Sequence, residues 1–518
     1  MTGFAALVRL IVRRDRLALI VWVLVAGLLP SAVVAATVAG YPAEADRLAF
    51  AATALVNPAE LAARGPVFAP TVGGLTAWTF TSSGTLLGGL ISIVLVVRHT
   101  RADEQAGRRE LIGAGVVERP APLAAALAVV VGANLAVAAV VAAGLLTSGM
   151  AVAGSVALGL AVASGGIAFA TVGAVAAQLV EGAGAARGIG IIVLGVAFAL
   201  AAVGDVGGSA AIWVSPIGWA RHVQAFADEQ WWVLGLFVAG AAFVAAVAFA
   251  LSARRDVGGG LLPARRGPST APPLLRSPFA LAWRLHRASI AAWTAGLTML
   301  GLLFGAAMSS LGNQLDTPAF RSFADAFGGG SVADVFFRFV LYVLAQVVAA
   351  ATIASAMRMR NQEVDGLADA VLTTPVSRAR WAAGHLACTA IGAVLMLAGL
   401  GLGAGIAYGT PLDVLGTTTA YVPACLVFAA IAVAATGWTP RAAGVLAWTL
   451  LAATLVIDLL GEFRLVDRAV MQLSPFVQTL QPLTIGSGLV VSLVLLVALA
   501  AALTAAGLAG LRRRDLGT

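Results

Sequence analysis

Carboxylates interleaved with arginines recur in two stretches of this sequence, RADEQAGRRELIGAGVVER at 101–119 and RNQEVDGLADAVLTTPVSR at 360–378. Superposed without a gap at an offset of 259 residues, Arg101 meets Arg360, Glu104 meets Glu363, Gly107 meets Gly366, Arg119 meets Arg378, and Glu110 meets Asp369. Acids so placed can pair with basic groups on a partner or cap a short helix. A helix N-terminus favours a carboxylate by about 0.3–1 kcal/mol, and a desolvated interfacial charge pair is worth several times that. In the second stretch LADAVL (367–372) reads as a short amphipathic helix. Gly366 would let the chain start it tightly where a side chain would obstruct, and Pro375 would end it. The competing reading is a solvated connection with no partner.

Other chemistry is scarce. The four histidines are His99, His222, His286 and His385, and only His385 has a cysteine nearby, Cys388 at i+3. Two ligands without a third or fourth do not make a zinc site. All 32 basic residues are arginine. Without lysine there is no G-x-x-x-x-G-K-S/T phosphate loop, so this sequence carries no P-loop ATPase and is expected to bind no cofactor itself. Cys388 and Cys425 form no CxxC pattern and read as ordinary thiols of an apolar interior.

The elements that must position these loops are set by hydropathy. Hydrophobic residues make up 60% of the 518 and charged ones 11%, with a mean hydropathy of +0.96. A water-soluble chain of this size needs more charge to cover its surface. A membrane crossing takes about 20 apolar residues in a helix. Qualifying runs lie at 17–38, 77–97, 122–147, 151–178, 188–204 and 232–252, then at 288–310, 338–357, 381–407, 416–436, 441–459 and 483–510. The expected fold is an all-α polytopic membrane protein of about twelve spans. With both termini and every second loop in the cytoplasm, 25 of the 32 arginines fall inside, whereas the acids divide almost evenly. That bias of arginine alone is what the positive-inside rule describes, and it favours a membrane protein over a nucleic-acid binder.

At the same offset of 259, Ser215-Pro216 meets Ser474-Pro475 and Arg255-Asp256 meets Arg514-Asp515. Nearer the start of each half the offset becomes 271, where Arg13, Arg16 and Trp22 meet Arg284, Arg287 and Trp293. The extra dozen residues belong in the first external loop of the first half. The chain therefore reads as two six-span repeats, 1–259 and 260–518, joined by a Gly-, Pro- and Arg-rich cytoplasmic linker at 253–287. Six is even, so the repeats are parallel, with a pseudo-twofold axis along the membrane normal.

The run Glu363-x-x-Gly366-x-x-Asp369-x-x-Leu372-x-Thr374-Pro375-Val376-Ser377-Arg378 resembles the loop between the second and third spans of ABC-2 type permeases, which reads roughly E-x-x-G-T-x-E-x-L-x-x-T-P-V-S-R. The first copy matches at Glu104, Gly107, Glu110 and Arg119 but has Val116-Val117-Glu118 in place of Pro-Val-Ser. Arginine-bearing segments before the first span of each half (4–16 and 277–288) and external segments at 205–231 and 460–482 are similar to the same family. With two halves fused, the chain most resembles exporters of polyketide antibiotics from bacteria. The resemblance implies a type V exporter-like fold in the bacterial plasma membrane. It further implies a separate ABC ATPase, two copies of it, binding ATP and Mg beneath the membrane and docking on 101–119 and 360–378, with Glu104, Gly107, Glu110, Arg119, Glu363, Gly366, Asp369, Pro375 and Arg378 as coupling residues. The cargo would be a hydrophobic or amphipathic small molecule, because the spans carry essentially no charge at their centres.

Asn134, Gln178, Tyr342 and Gln346 are the polar candidates for a substrate pathway, although polar residues between spans also serve as helix–helix hydrogen bonders. The rival architecture is a twelve-span secondary carrier of the major facilitator kind, whose G-x-x-x-D-R-x-G-R-R loop motif is approached by Asp103-Glu-Gln-Ala-Gly107-Arg108-Arg109. Here the Asp-to-Gly spacing is one residue too long, and the second copy lacks the arginine pair.

Overall fold

A computed structural model of the chain describes residues 2–108, 115, 117–256, 258–262, 270, 275–311, 332–462, 468–479 and 487–514. Glu110 lies outside the described residues. The described residues are helical and contain no strand. They divide into two compact units, Met1–Gly267 and Pro268–Thr518.

In the first unit the apolar helices are α1 (Phe4–Gly40), α4 (Val72–Val97), α5 (Ala121–Thr147), α6 (Val152–Leu179), α7 (Ala183–Gly207) and α9 (Trp232–Arg254). Between α1 and α4 lie two short helices, α2 (Glu44–Val56) and α3 (Pro58–Arg64). A further one, α8 (Pro216–His222), precedes α9 and is capped by the Ser215 hydroxyl, which accepts from Ile217 N at 3.1 Å. The second unit carries α10 (Pro278–Leu311), α11 (Val332–Ala356), the short α12 (Arg358–Val364) and α13 (Leu367–Leu372), then α14 (Arg378–Tyr408), α15 (Pro411–Thr419), α16 (Val422–Trp438), α17 (Ala443–Glu462) and α18 (Ser487–Arg513). Among the described residues eleven helical stretches are long and apolar enough to cross a membrane, and a twelfth apolar helix, Ala443–Asp458, is shorter. This is the build of a polytopic membrane protein.

Two expectations about local structure change. The arginine-bearing segment 4–16 does not precede the first span as a separate piece but is continuous with it in the 37-residue α1. Nothing in 4–26 breaks a helix, and Pro30 sits inside α1, as apolar surroundings allow. Likewise 277–288 is the start of α10, opened by Pro278 at the first helical position, with the Ser277 hydroxyl accepting from Ala280 N at 3.1 Å. The span expected at 416–436 falls within the single apolar stretch Pro411–Trp438, which is locally interrupted between α15 and α16, where Pro423, without an N–H, starts the second piece.

Packing depends on small residues. In the second unit α10 and α14 approach so closely that a Cβ on Gly301 would lie 2.4 Å from the Leu400 carbonyl oxygen, and one on Gly403 would lie 2.2 Å from that of Thr298. Between membrane helices apolar attraction offers little over lipid, so backbone-to-backbone contact at glycine supplies the cohesion.

Candidate functional site

In the first unit α4 does not stop at Val97. It widens into a π-helical turn, Arg98–Ala102, and a last helical turn, Asp103–Gln105, before Gly107 takes a left-handed φ of +71°. π turns are rare and recur at functional positions. Here the turn carries Arg101 and Glu104 into the protein, where their side chains are 1% exposed.

The Glu104 carboxylate is gripped by Arg255, just past the end of α9, through two parallel bonds, Nη1 to Oε1 at 2.8 Å and Nη2 to Oε2 at 2.6 Å. Arg101 Nη1 lies 3.2 Å from Oε2, and Gly258 N donates to Oε1 at 2.6 Å. Arg101 in turn donates to the carbonyls of Glu181 at 2.6 Å, Gly258 at 2.8 Å and Gly259 at 3.0 Å. Arg119, at the start of the third span, donates to the main-chain carbonyl of Arg255.

The second unit repeats the constellation. Glu363, with its side chain fully buried, receives Arg360 at 3.3 Å and Arg514, just past α18, at 2.5 Å. Arg378 donates to the carbonyl of Arg514 at 2.6 Å. The repeated positions Arg101/Arg360, Glu104/Glu363, Arg119/Arg378 and Arg255/Arg514 thus meet in space as one clasp per unit. Each clasp joins the loop after the second span to the end of the sixth span and the start of the third. Burying such a carboxylate is costly, and these charge-assisted bonds offset the cost.

Glu104 and Glu363 therefore have partners inside the chain, not bare carboxylates offered to another protein. What the second loop does present is different. Val364 and Leu367 are 66% and 60% exposed, flanked by exposed Asp365 in the turn after α12 and exposed Asp369 on α13. Gly366 between them has φ +70°. A Cβ there meets nothing within 4 Å, so the glycine is required by backbone conformation and not, as expected, by crowding. Helix α13 ends at Leu372, with Pro375 exposed in the following turn and Ser377 capping α14 by accepting from Arg380 N at 3.3 Å.

The first copy departs from the second where its sequence does. Glu118 stands at the position of Ser377, and instead of capping the next helix it binds the chain's start. Thr2 Oγ1 donates to its carboxylate at 3.0 Å, and Glu118 N donates to the Thr2 carbonyl at 3.2 Å. The Thr2 backbone and hydroxyl hold the Glu118 carboxyl below its ordinary pKa.

The four pathway candidates are all engaged within their own units. Asn134 donates to Ser92 Oγ at 2.9 Å between α5 and α4. Gln178 accepts from Arg255 Nε at 2.7 Å and so belongs to the first clasp. Gln346 donates to Asp458 at 3.0 Å, and Tyr342, 1% exposed, lies in the aromatic cluster of Tyr421 and Phe476. His385 faces His286 at 3.0 Å, not Cys388. Among the described residues no three ligating side chains group to hold a metal.

Sequence reasoning aligned Arg255 with Arg514 but gave neither a role. The signal was there: both share the loop's offset of 259. It missed Asp15 on α1 altogether, which is buried and binds His99 at 2.7 Å and Arg98 at 2.9 Å.

Eleven apolar helical stretches long enough to cross a membrane, with a shorter twelfth among the described residues, make this a multi-pass membrane protein. A family model described as the C-terminal domain of the multidrug efflux system permease Rv1217c matches residues 275–512. Along 99% of its own length and 95% of the relative's, the chain is 39% identical to the multidrug efflux system permease protein Rv1217c of Mycobacterium tuberculosis. The chain belongs to the family of that permease.

Proposed function

We propose that this chain is the membrane subunit of an ATP-driven ABC exporter that carries hydrophobic or amphipathic compounds of drug or antibiotic type out of the cell. A separate ATPase, docked from the cytoplasm as a dimer on loops 101–119 and 360–378, supplies the energy. The observation that carries the reading is the second loop: an exposed face of Val364, Leu367, Asp365 and Asp369, held from beneath by the buried Glu363–Arg514 pair. Such a face suits a partner with an apolar pocket rimmed by basic groups. Because Arg514 follows α18 directly, a push on the loop reaches the sixth span without passing through a slack connection. ATP-driven closure of the partner would then shift the units between inward- and outward-open states.

The multidrug efflux named for the relative supports the class of cargo, as does the lack of charge at the centres of the spans. The coupling residues act in two ways. Arg101, Glu104, Arg119, Glu363 and Arg378 hold the loops in shape, and Gly107, Gly366, Asp369 and Pro375 form the face and its turns. Transport is to be measured in vesicles containing the chain and its co-purified ATPase. It should require ATP and continue when a protonophore collapses the proton gradient. Arrest by the protonophore at constant ATP would replace this reading with the secondary carrier.

A further inference from the structure

Helices α1 and α5 of the first unit touch at two levels. At the arginine-bearing end Leu7 and Ile11 cluster with Ala121 and Ala125. Farther along, a Cβ on Gly27 would lie 2.5 Å from Val140 Cγ1, and one on Gly144 would lie 2.6 Å from Ser31 Oγ. An apolar groove of about 550 Å³ runs along the outside of the pair, with Val12, Ile20 and Leu24 on one wall and Ala128, Gly132 and Ala136 on the other. The second wall is low because its residues are small: a Cβ on Gly132 would meet nothing within 4 Å. At the offset of 259 that aligns Arg119 with Arg378, Gly132 and Ala136 meet Ile391 and Leu395. The second unit therefore carries bulky side chains where the first leaves space.

Three arginines stand on the groove's own face of α1. At about 100° per residue, Arg9, Arg13 and Arg16 all fall inside the arc that Val8, Val12, Ile20 and Leu24 define, and Arg16 continues their every-fourth-residue row. The three are exposed, and none has an ion-pair or hydrogen-bond partner among the described residues. Arg14 lies outside that arc and is engaged within the unit, 2.9 Å from Asp103. In the second unit Arg284 and Arg287 repeat Arg13 and Arg16, but Ala280 stands where the first has Arg9.

Unpaired guanidiniums at the head of an apolar trough match a ligand with a phosphate at one end and a hydrocarbon chain at the other. Guanidinium binds phosphate through charge-assisted, often bidentate bonds. A free phosphate would leave the trough uncovered, and a choline headgroup would set a cation beside three others. The depth also fits. Leu24 is eight residues past Arg16, about 12 Å along a helix, and one leaflet supplies roughly 15 Å of a 30 Å hydrocarbon core.

We propose that the α1–α5 groove holds one anionic diacyl phospholipid of the leaflet at the arginine end. Its phosphate sits on Arg16, with Arg9 and Arg13 beside it, and one acyl chain lies along Gly132 and Ala136. The site goes beyond the exporter reading and does not depend on it, because lipid occupancy and transport are measured separately.

The test titrates the purified, delipidated full-length chain in detergent with dioleoyl phosphatidylglycerol or dioleoyl phosphatidylcholine, and counts retained lipid by native mass spectrometry. One phosphatidylglycerol per chain should bind more tightly than phosphatidylcholine by about tenfold or more, and Arg16→Gln should weaken it about fivefold, the worth of one arginine near an anionic headgroup. Gly132→Ile combined with Ala136→Leu keeps every charge, copies the second unit and should abolish the preference. Arg287→Gln, the counterpart change in the second unit, should leave it intact, and excess inorganic phosphate should not displace the lipid. The Arg16 and groove variants alter the outer side of the helix pair, so each decides the matter if the other does not fold. Equal retention of the two lipids, undiminished binding by the groove-filled chain, or displacement by phosphate would overturn the proposal. So would a loss in Arg287→Gln as large as that in Arg16→Gln.

Discussion

Arg378 donates through Nη1 to the main-chain carbonyl of Arg514 at 2.6 Å, while the guanidinium of that same Arg514 binds Glu363 at 2.5 Å. One arginine thus fixes the backbone on which the other is mounted. Carbonyls left open past a helix C-terminus are natural acceptors for such a cation. Removing one member of a buried pair leaves a desolvated charge, at a cost of about 3–5 kcal/mol. Glu363→Gln and Glu104→Gln should each lower the thermal midpoint of the purified chain clearly. Arg378→Ala, which leaves Glu363 paired, should lower it less. Unchanged midpoints for both acid variants would mean that the clasps do not hold the loops.

The exposed face should behave in the opposite way. Reversing charge at Asp369 together with Leu367→Asp touches no buried pair, so the chain should insert and melt normally. Co-purification of the proposed ATPase should nevertheless fall at least tenfold. Retained binding would place the docking surface elsewhere.

Gly107 and Gly366 have open space around their missing side chains but left-handed backbones. An alanine there costs about 1–2 kcal/mol from conformation alone. Gly366→Asn, a residue that tolerates this region better than alanine, should be closer to wild type in melting than Gly366→Ala. Equal midpoints would show that the turn relaxes.

Acid should loosen the start of the chain. The Thr2 bonds depress the folded pKa of Glu118, so the stabilisation they give is present above the unfolded value of about 4.3 and is lost as pH falls through the folded one. Cleavage near residue 2 by an acid-tolerant protease should rise over that interval, and a Glu118→Gln chain should show no such rise.

Orientation can be read by labelling. On a background without Cys388 and Cys425, single cysteines at 101–119, 253–287 and 360–378 should resist an impermeant reagent in intact cells, whereas those at 205–230 and 460–482 should react. Labelling of the 360–378 loop from outside would reverse the assigned topology.

Helix positions were legible because hydropathy and arginine placement are written locally along the chain. The duplicated loop was legible as a pattern, Arg101 with Glu104 and Arg360 with Glu363, but its partners were not. Glu104 meets Arg255 across 151 residues, a separation no local rule spans, and a carboxylate in a polar loop ordinarily faces water. Gln178 was misleading for a similar reason: a polar residue at the end of a span can as well serve a buried guanidinium as a substrate.

Helix α1 holds one further consequence. Its 37 residues span roughly 55 Å at about 1.5 Å per residue, against about 30 Å of hydrocarbon. The excess carries Arg9, Arg13, Arg14 and Arg16, and through Asp15 it is tied to His99 and Arg98, two and three residues before Arg101. A continuous rod cannot tilt at one end alone. When a thinner or thicker bilayer changes the angle at which α1 crosses, that lever moves the root of the loop bearing Glu104, so the thickness of the surrounding lipid becomes a mechanical input to the first clasp.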